Sequence, residues 1–263
     1  MSDTLTVERA GGVATLTMRR PESMNSLSVE LKEALLAGLA DVRDDDAVRA
    51  VVLAGEGRAF CVGQDLREHV AMLASGDAAP LSTVRAHYNP ITLGIAGMPK
   101  PVVAAVRGMA AGAGGALAFA SDFRVGGPST GFLMAFANVG LAADSGASWT
   151  LQRLVGFAKA TELLLLARPI DATEADRLGL LTRLVESDDD VLPAAQELAA
   201  RLAAGPTVAY REIKASLAYA ASASLADALE REAEAQTVTG ATEDHRNATE
   251  AFVAKRQRTF AGR

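Results

Sequence analysis

An α/β body followed by a helical C-terminal region is the fold class this sequence predicts. Three observations carry it. Short apolar runs bounded by glycine alternate with segments of helical period. The unit of strand, glycine-rich turn and helix recurs about every 40 to 50 residues without an exact repeat, which suits a coil of strand–helix turns. Strand signal fades near Asp189, and four helical segments follow. The 263 residues suffice for one large domain or one domain with an appendage. We place the α/β body at residues 1–200 and the helical region at 201–263.

The elements follow in order. Residues 5–9 and 13–18 alternate apolar and polar side chains around Gly11-Gly12, the pattern of a β-hairpin. Ser28 suits a helix N-cap, and Leu31, Leu35, Leu36 and Leu39 form one apolar face after it. Residues 48–53 form a short apolar strand ending at Gly55. Residues 65–73 and 81–95 read as helices, the second ended by Pro99 and Pro101. Residues 102–106 are a buried strand whose glycine–alanine turn leads into a helix near Ala116. The four late helices span about 191–204, 207–220, 224–238 and 242–258. Gly205-Pro206 separates the first two, a stop followed by a start.

Composition excludes several classes. Hydrophobic residues make up 49%, enough apolar surface to offset the entropy of ordering the chain. The 23 glycines keep no three-residue period, which excludes collagen. Cys61 is the single cysteine, so no internal disulfide forms. The formal net charge of −6 argues against non-specific nucleic-acid binding but leaves room for a small basic pocket for an anionic cofactor. The N-terminal residues lack a basic segment followed by an apolar run. The longest uncharged stretch, 125–143, contains Pro128, glycines and Asn138 and does not suit a spanning helix. The reading is a cytoplasmic protein with neither a membrane nor a nucleic acid as partner.

Few residues can carry chemistry. His69, His87 and His245 stand at no metal-like spacing, and with one cysteine no zinc site is supported. There is no G-x-S-x-G nucleophile turn. The run 108–115 is neither a dinucleotide fingerprint nor a phosphate loop. Two readings of it stay open. It packs a helix closely on a strand, or it exposes backbone N–H groups at a helix start to a developing oxyanion. The segment 59–66 is a second turn of the same type. Two such turns suit a thioester carbonyl. Polarising it acidifies the adjacent carbon, so that a carboxylate can move its proton.

With these residues in view, a resemblance emerges. The segments 20–27, 59–66 and 108–122, in that order, with the Phe252-Val253-Ala254-Lys255-Arg256 tail, resemble the enoyl-CoA hydratase/isomerase (crotonase) family. The resemblance implies a spiral of ββα units followed by helices that build a homotrimer, often paired into a hexamer as a dimer of trimers. It implies an acyl-CoA thioester substrate whose coenzyme A is part of the substrate, with no further cofactor and no metal. The family's oxyanion amides fall on Val62 and Ala113, the latter in place of a common glycine. The CoA-binding stretches fall on Ser23 and Met24 and on Ala59, Gln64, Asp65 and Leu66. Arg20 and Lys255 would suit the phosphates, Lys255 from the same or a neighbouring subunit. Phe132, Phe136 and Trp149 would line an apolar acyl pocket or pack the core.

The resemblance also sorts the reaction. Hydratases of the family use two glutamates, and the matching positions here are Ala116 and Phe136, neither of which moves a proton. One carboxylate is left in the region, Asp144. By spacing it suits a helix N-cap. By resemblance to the 1,2-epoxyphenylacetyl-CoA isomerase branch it is the working acid–base, a role compatible with a helix N-terminus that holds it ionised. A dehalogenase would need a histidine where Asn89 stands. His87 is two residues away, about 200° around a helix. The expectation is an isomerase that shifts a double bond, or rearranges a ring epoxide, by proton transfer through Asp144. A hydratase or other acyl-CoA lyase, and a catalytically silent acyl-CoA binder, are the alternatives.

Overall fold

The hairpin forms as its alternation dictates. In the computed structural model, which describes residues 3–76 and 79–263, β1 (Leu5–Ala10) pairs antiparallel with β2 (Val13–Met18). Gly11 and Gly12 both take positive φ in the connection, a conformation that glycine adopts without steric cost. Ser28 caps α1 (Val29–Asp44) by accepting the Leu31 N–H. Each later turn of the spiral then gives one strand to each of two sheets before a helix returns over the core. The first has β3 (Ala50–Gly55), β4 (Ala59–Cys61), α2 (Leu66–Ala74) and α3 (Asn89–Ala96). The second has β5 (Val102–Val106), β6 (Met109–Ala111) and α4 (Ala113–Ala120). The third has β7 (Phe123–Gly126), β8 (Gly131–Leu133), α5 (Ala147–Val155) and α6 (Phe157–Leu166). β9 (Ile170–Asp171), α7 (Ala172–Arg177) and β10 (Arg183–Leu184) complete the sheets.

The larger sheet has the order β1-β2-β3-β5-β7-β10, and the smaller β4-β6-β8-β9. From β2 to β10 the larger sheet is parallel, and both its faces are covered. Leu16, Leu53 and Ala104 are in register and join the core under α1, α3 and α4. Val52, Val103 and Val125 sit on the opposite face under α8 (Val191–Ala203), against Ala195 and Ala199. Residues buried on two faces read as continuous apolar runs, which is why 102–106 carries no alternation.

Two helices differ from the sequence expectation. The span 81–95 is not one α-helix, because a wide turn at Val84–Tyr88 precedes α3 and the Asn89 N–H reaches the Val84 carbonyl. Pro90 lacks an N–H and cannot continue a regular ladder there. After α9 (Thr207–Ala220) and α10 (Leu225–Gly240), the last helix α11 ends at Val253 rather than near 258. Lys255 turns left-handed (φ 53°), and the tail folds back so that the Asp244 carboxylate accepts the Ala261 and Gly262 N–H groups. Ile213, Leu217, Leu229 and Phe252 on these last helices are exposed. Among the described residues, no helix is long and apolar enough to cross a membrane.

Candidate active site

β4 and β6 are parallel neighbours in the smaller sheet, so the turns that leave them emerge side by side. Two glycines let these turns touch backbone to backbone. A Cβ on Gly114 would lie 2.1 Å from the Cys61 carbonyl oxygen, and one on Gly63, whose φ is +85°, would lie 3.2 Å from the Ala113 nitrogen. No other residue fits either position. Ala113 opens α4, where backbone N–H groups have no intrahelical partner and carry the positive end of the helix dipole. Among the described residues the Ala113 N–H has no hydrogen-bond partner. The Val62 N–H differs, because it donates to the Met24 carbonyl at 3.2 Å. A thioester oxygen arriving here meets one free donor and one already shared.

Met24 is placed by its neighbour. Met24 and Asn25 are both left-handed, and the fully buried Asn25 donates to the Glu56 and Ala59 carbonyls at 2.9 and 2.8 Å. Asn25 thus ties the Ser23-Met24 loop to the β3–β4 connection. The Cys61 thiol, buried between the two turns, is pushed up to about 12 by desolvation and supplies no thiolate nucleophile at neutral pH.

A cavity of about 460 Å³ opens in front of the two turns. Its walls are mainly apolar, from Val62, Leu66, Phe136, Val139 and Leu141, with Asp144, Gln64, His69, Thr83 and Tyr88 among the polar groups. Asp144 is the one carboxylate among the described lining residues. The Tyr88 hydroxyl donates to Gln64 Oε1. Burial and the nearby Asp144 charge push the phenol's ionisation far up, so it stays a donor. Behind Tyr88, the buried Lys32 donates to Thr83 Oγ1 at 2.7 Å, and its ammonium stands 5.2 Å from the Tyr88 ring centroid.

Asp144 is not the cap of α5. That place belongs to Gly146, which makes no side-chain cap bond. Asp144 instead begins a tight turn closed by the Ala147 N–H on the Asp144 carbonyl at 2.9 Å. Ser145 (φ 52°) and Gly146 (φ 75°) at its centre are both left-handed. For a serine this conformation costs about 1–3 kcal/mol. The Ser145 hydroxyl donates to Asp144 Oδ1 at 2.8 Å. Burial raises the Asp144 carboxyl from its ordinary value, and the Ser145 bond partly opposes the rise. The structure therefore departs from the cap expectation in one respect: Asp144 precedes the cap of α5, and desolvation is the largest influence on its carboxyl.

Several other expected site residues do other work. Asp65 caps α2 through the Arg67 and Glu68 N–H groups and accepts from Ser26, and its ion pair with Arg20 is 2.9 Å long. Arg20 also donates to the Ser26 carbonyl, so this guanidinium is committed within the fold. Ala59 is buried in β4. Trp149 does not line the cavity: it is 47% exposed on α5, with the Arg153 guanidinium stacked 3.9 Å from its ring centroid. Phe132 packs on Phe119 in the core at 4.8 Å. Lys255 is exposed beyond α11. Ala116 is wholly buried inside α4, whereas Phe136 does face the cavity. The sequence alone assigns no role to Tyr88, His69 or Asn25, although Asn25 lies within the segment 20–27 that carries the resemblance. Among the described residues, no group of three or more His, Cys, Asp or Glu side chains is placed to hold a metal ion.

Comparison with known proteins agrees with this architecture. Residues 8–263 match the model of the enoyl-CoA hydratase/isomerase family. The chain is 39% identical to the 1,2-epoxyphenylacetyl-CoA isomerase of Escherichia coli K12, over 96% of both chains. A solved structure from Mycobacterium abscessus, assigned to the enoyl-CoA hydratase/isomerase group, superposes with a TM-score of 0.94 at 43% identity, covering 98% of this chain and 100% of that one. The enoyl-CoA hydratase of Mycobacterium smegmatis superposes with a TM-score of 0.90 at 29% identity, over 98% of each chain. Hydratases and isomerases thus stand side by side among the relatives. With its paired amide turns and its spiral of two sheets, this chain belongs to the enoyl-CoA hydratase/isomerase, or crotonase, family.

Proposed function

We propose that the protein isomerises an enoyl-CoA thioester by proton transfer through Asp144. The observation that carries this reading is that Asp144 is the one described carboxylate in a mainly apolar cavity that also presents the Ala113 amide. The thioester oxygen accepts the Ala113 N–H and shares the Val62 N–H with Met24. The donors are fixed before charge develops, so they stabilise the enolate without reorganising. The Asp144 carboxylate takes a proton from one carbon of the acyl chain. The C–H pair moves into the dienolate, and the neutral acid returns the proton two carbons away. A carboxyl raised by burial is better matched to accepting and returning a proton near neutrality than an ordinary one. In an epoxide substrate the same polarisation assists ring opening.

Coenzyme A enters and leaves as part of the substrate, and no further cofactor takes part. The Ser23-Met24 loop, one hydrogen bond from Val62, borders the thioester, and Lys255 is an exposed cation that suits the CoA phosphates. The exposed apolar side chains of residues 201–263 suit packing against further copies, as a trimer or a hexamer. The test is NMR of a 3-enoyl-CoA and a 2-enoyl-CoA incubated with the protein. Interconversion of the two supports the reading. A 3-hydroxyacyl product overturns it in favour of hydration, and tight binding without turnover points to a silent binder.

A further inference from the structure

The turn that carries Asp144 is built at a cost that packing alone does not require. Ser145 is 1% exposed, left-handed, and followed by a second left-handed residue. Glycine would take this conformation without strain, and a buried serine hydroxyl needs a partner. Its partner is Asp144 Oδ1. Among the described residues Asp144 Oδ2 has no hydrogen-bond partner, and Asp144 lines the cavity. The two carboxylate oxygens are therefore unequal: one is held by the turn and the other is free.

We propose that Ser145 is the positioning residue for Asp144, locking one oxygen so that the other is presented to the acyl chain. This rests on the isomerase reading for its consequence in rate, but not for its effect on the carboxyl itself. The hydroxyl donates to the ionised form and favours it, against the desolvation that favours the acid. Among the described residues, the titratable groups that share the cavity with Asp144 are Tyr88, from the wide turn before α3, and His69, from α2. The Tyr88 hydroxyl is committed to Gln64. None of these replaces the Ser145 bond.

The test uses Ser145→Ala and Ser145→Gly in the full-length protein. Both remove the hydroxyl, whereas only glycine relieves the left-handed strain. The titration of the Asp144 carboxyl is followed by carbon NMR in each, alongside Tm and the pH profile of kcat and KM. Both variants should titrate at higher pH than the wild type, by about one unit if the bond is worth a typical charge-assisted hydrogen bond. Both should lose up to about tenfold in kcat on the acid side of the pH profile, with KM little changed, although Ser145→Gly has the higher Tm. An unchanged carboxyl titration in both variants overturns the proposal. A kcat that follows Tm, lost in alanine and kept in glycine, also overturns it, because the serine would then be a matter of stability. If the titration moves while no enoyl-CoA is turned over by any form, the isomerase reading fails and the placement of Asp144 by Ser145 stands.

Discussion

The two ends of the cavity are made by different means. At one end, two turns are pressed together by Gly63 and Gly114, and what they offer is backbone. Side chains there are nearly irrelevant to the chemistry, which is why an alanine serves at position 113. At the other end the working group is a side chain. Asp144 is desolvated, its turn is strained at Ser145, and its charge is opposed by its surroundings. The first end derives its precision from close backbone packing and so adds to stability. The second is a local loss that the rest of the fold sustains.

That difference has measurable consequences, in descending size. Asp144→Asn should lower kcat by about 10²–10⁴, the usual worth of a general acid–base group. It should also raise Tm at pH 7, because the variant removes a charge that burial disfavours. The carboxyl is raised in the folded state, so its protonated form is favoured there. Its stabilising contribution is complete below the unfolded value and disappears as pH rises through the folded one. The Tm gap between variant and wild type should therefore close as pH falls toward 4. A gap that widens on acidification would mean that Asp144 stabilises the fold as an anion.

Gly114→Ala attacks the other end. Its Cβ would lie 2.1 Å from a backbone oxygen that cannot rotate away. A loss of about 3 kcal/mol is expected, or roughly 6–12 °C in Tm, measured by thermal unfolding. Ala113→Gly leaves the N–H in place and should alter kcat by less than about threefold. A large fall would mean that the alanine methyl, and not just its amide, meets the substrate. Trp149→Ala should leave KM within about twofold, because the ring stands outside the cavity. A tenfold rise in KM would place Trp149 on the acyl group, in a neighbouring subunit or after a rearrangement.

The same contrast explains what could be read in the sequence. The hairpin at Gly11-Gly12, the buried strands and the two glycine turns are local in cause, and they stand where their periodicity puts them. Val62, Gln64, Leu66, Ala113, Phe136 and Asp144 line one cavity. The failures concern where a side chain points. Arg20 and Asp65 look free in a list of residues, but they pair with each other across 45 positions of chain. Trp149 lies outward and Phe132 inward because neighbouring helices and strands decide it, and period alone does not. The environment of Asp144 was misread for the same reason. A cap is a local pattern, whereas desolvation is the sum of everything packed around the group.

The most direct measurement sets wild type against Asp144→Asn on the same 3-enoyl-CoA, following conversion by NMR and binding by calorimetry. The account expects isomerisation by the wild type, a loss of at least about a hundredfold in the variant, and an acyl-CoA affinity retained by both. Equal rates in the two proteins, with equal affinity, would contradict it and remove Asp144 from the chemistry.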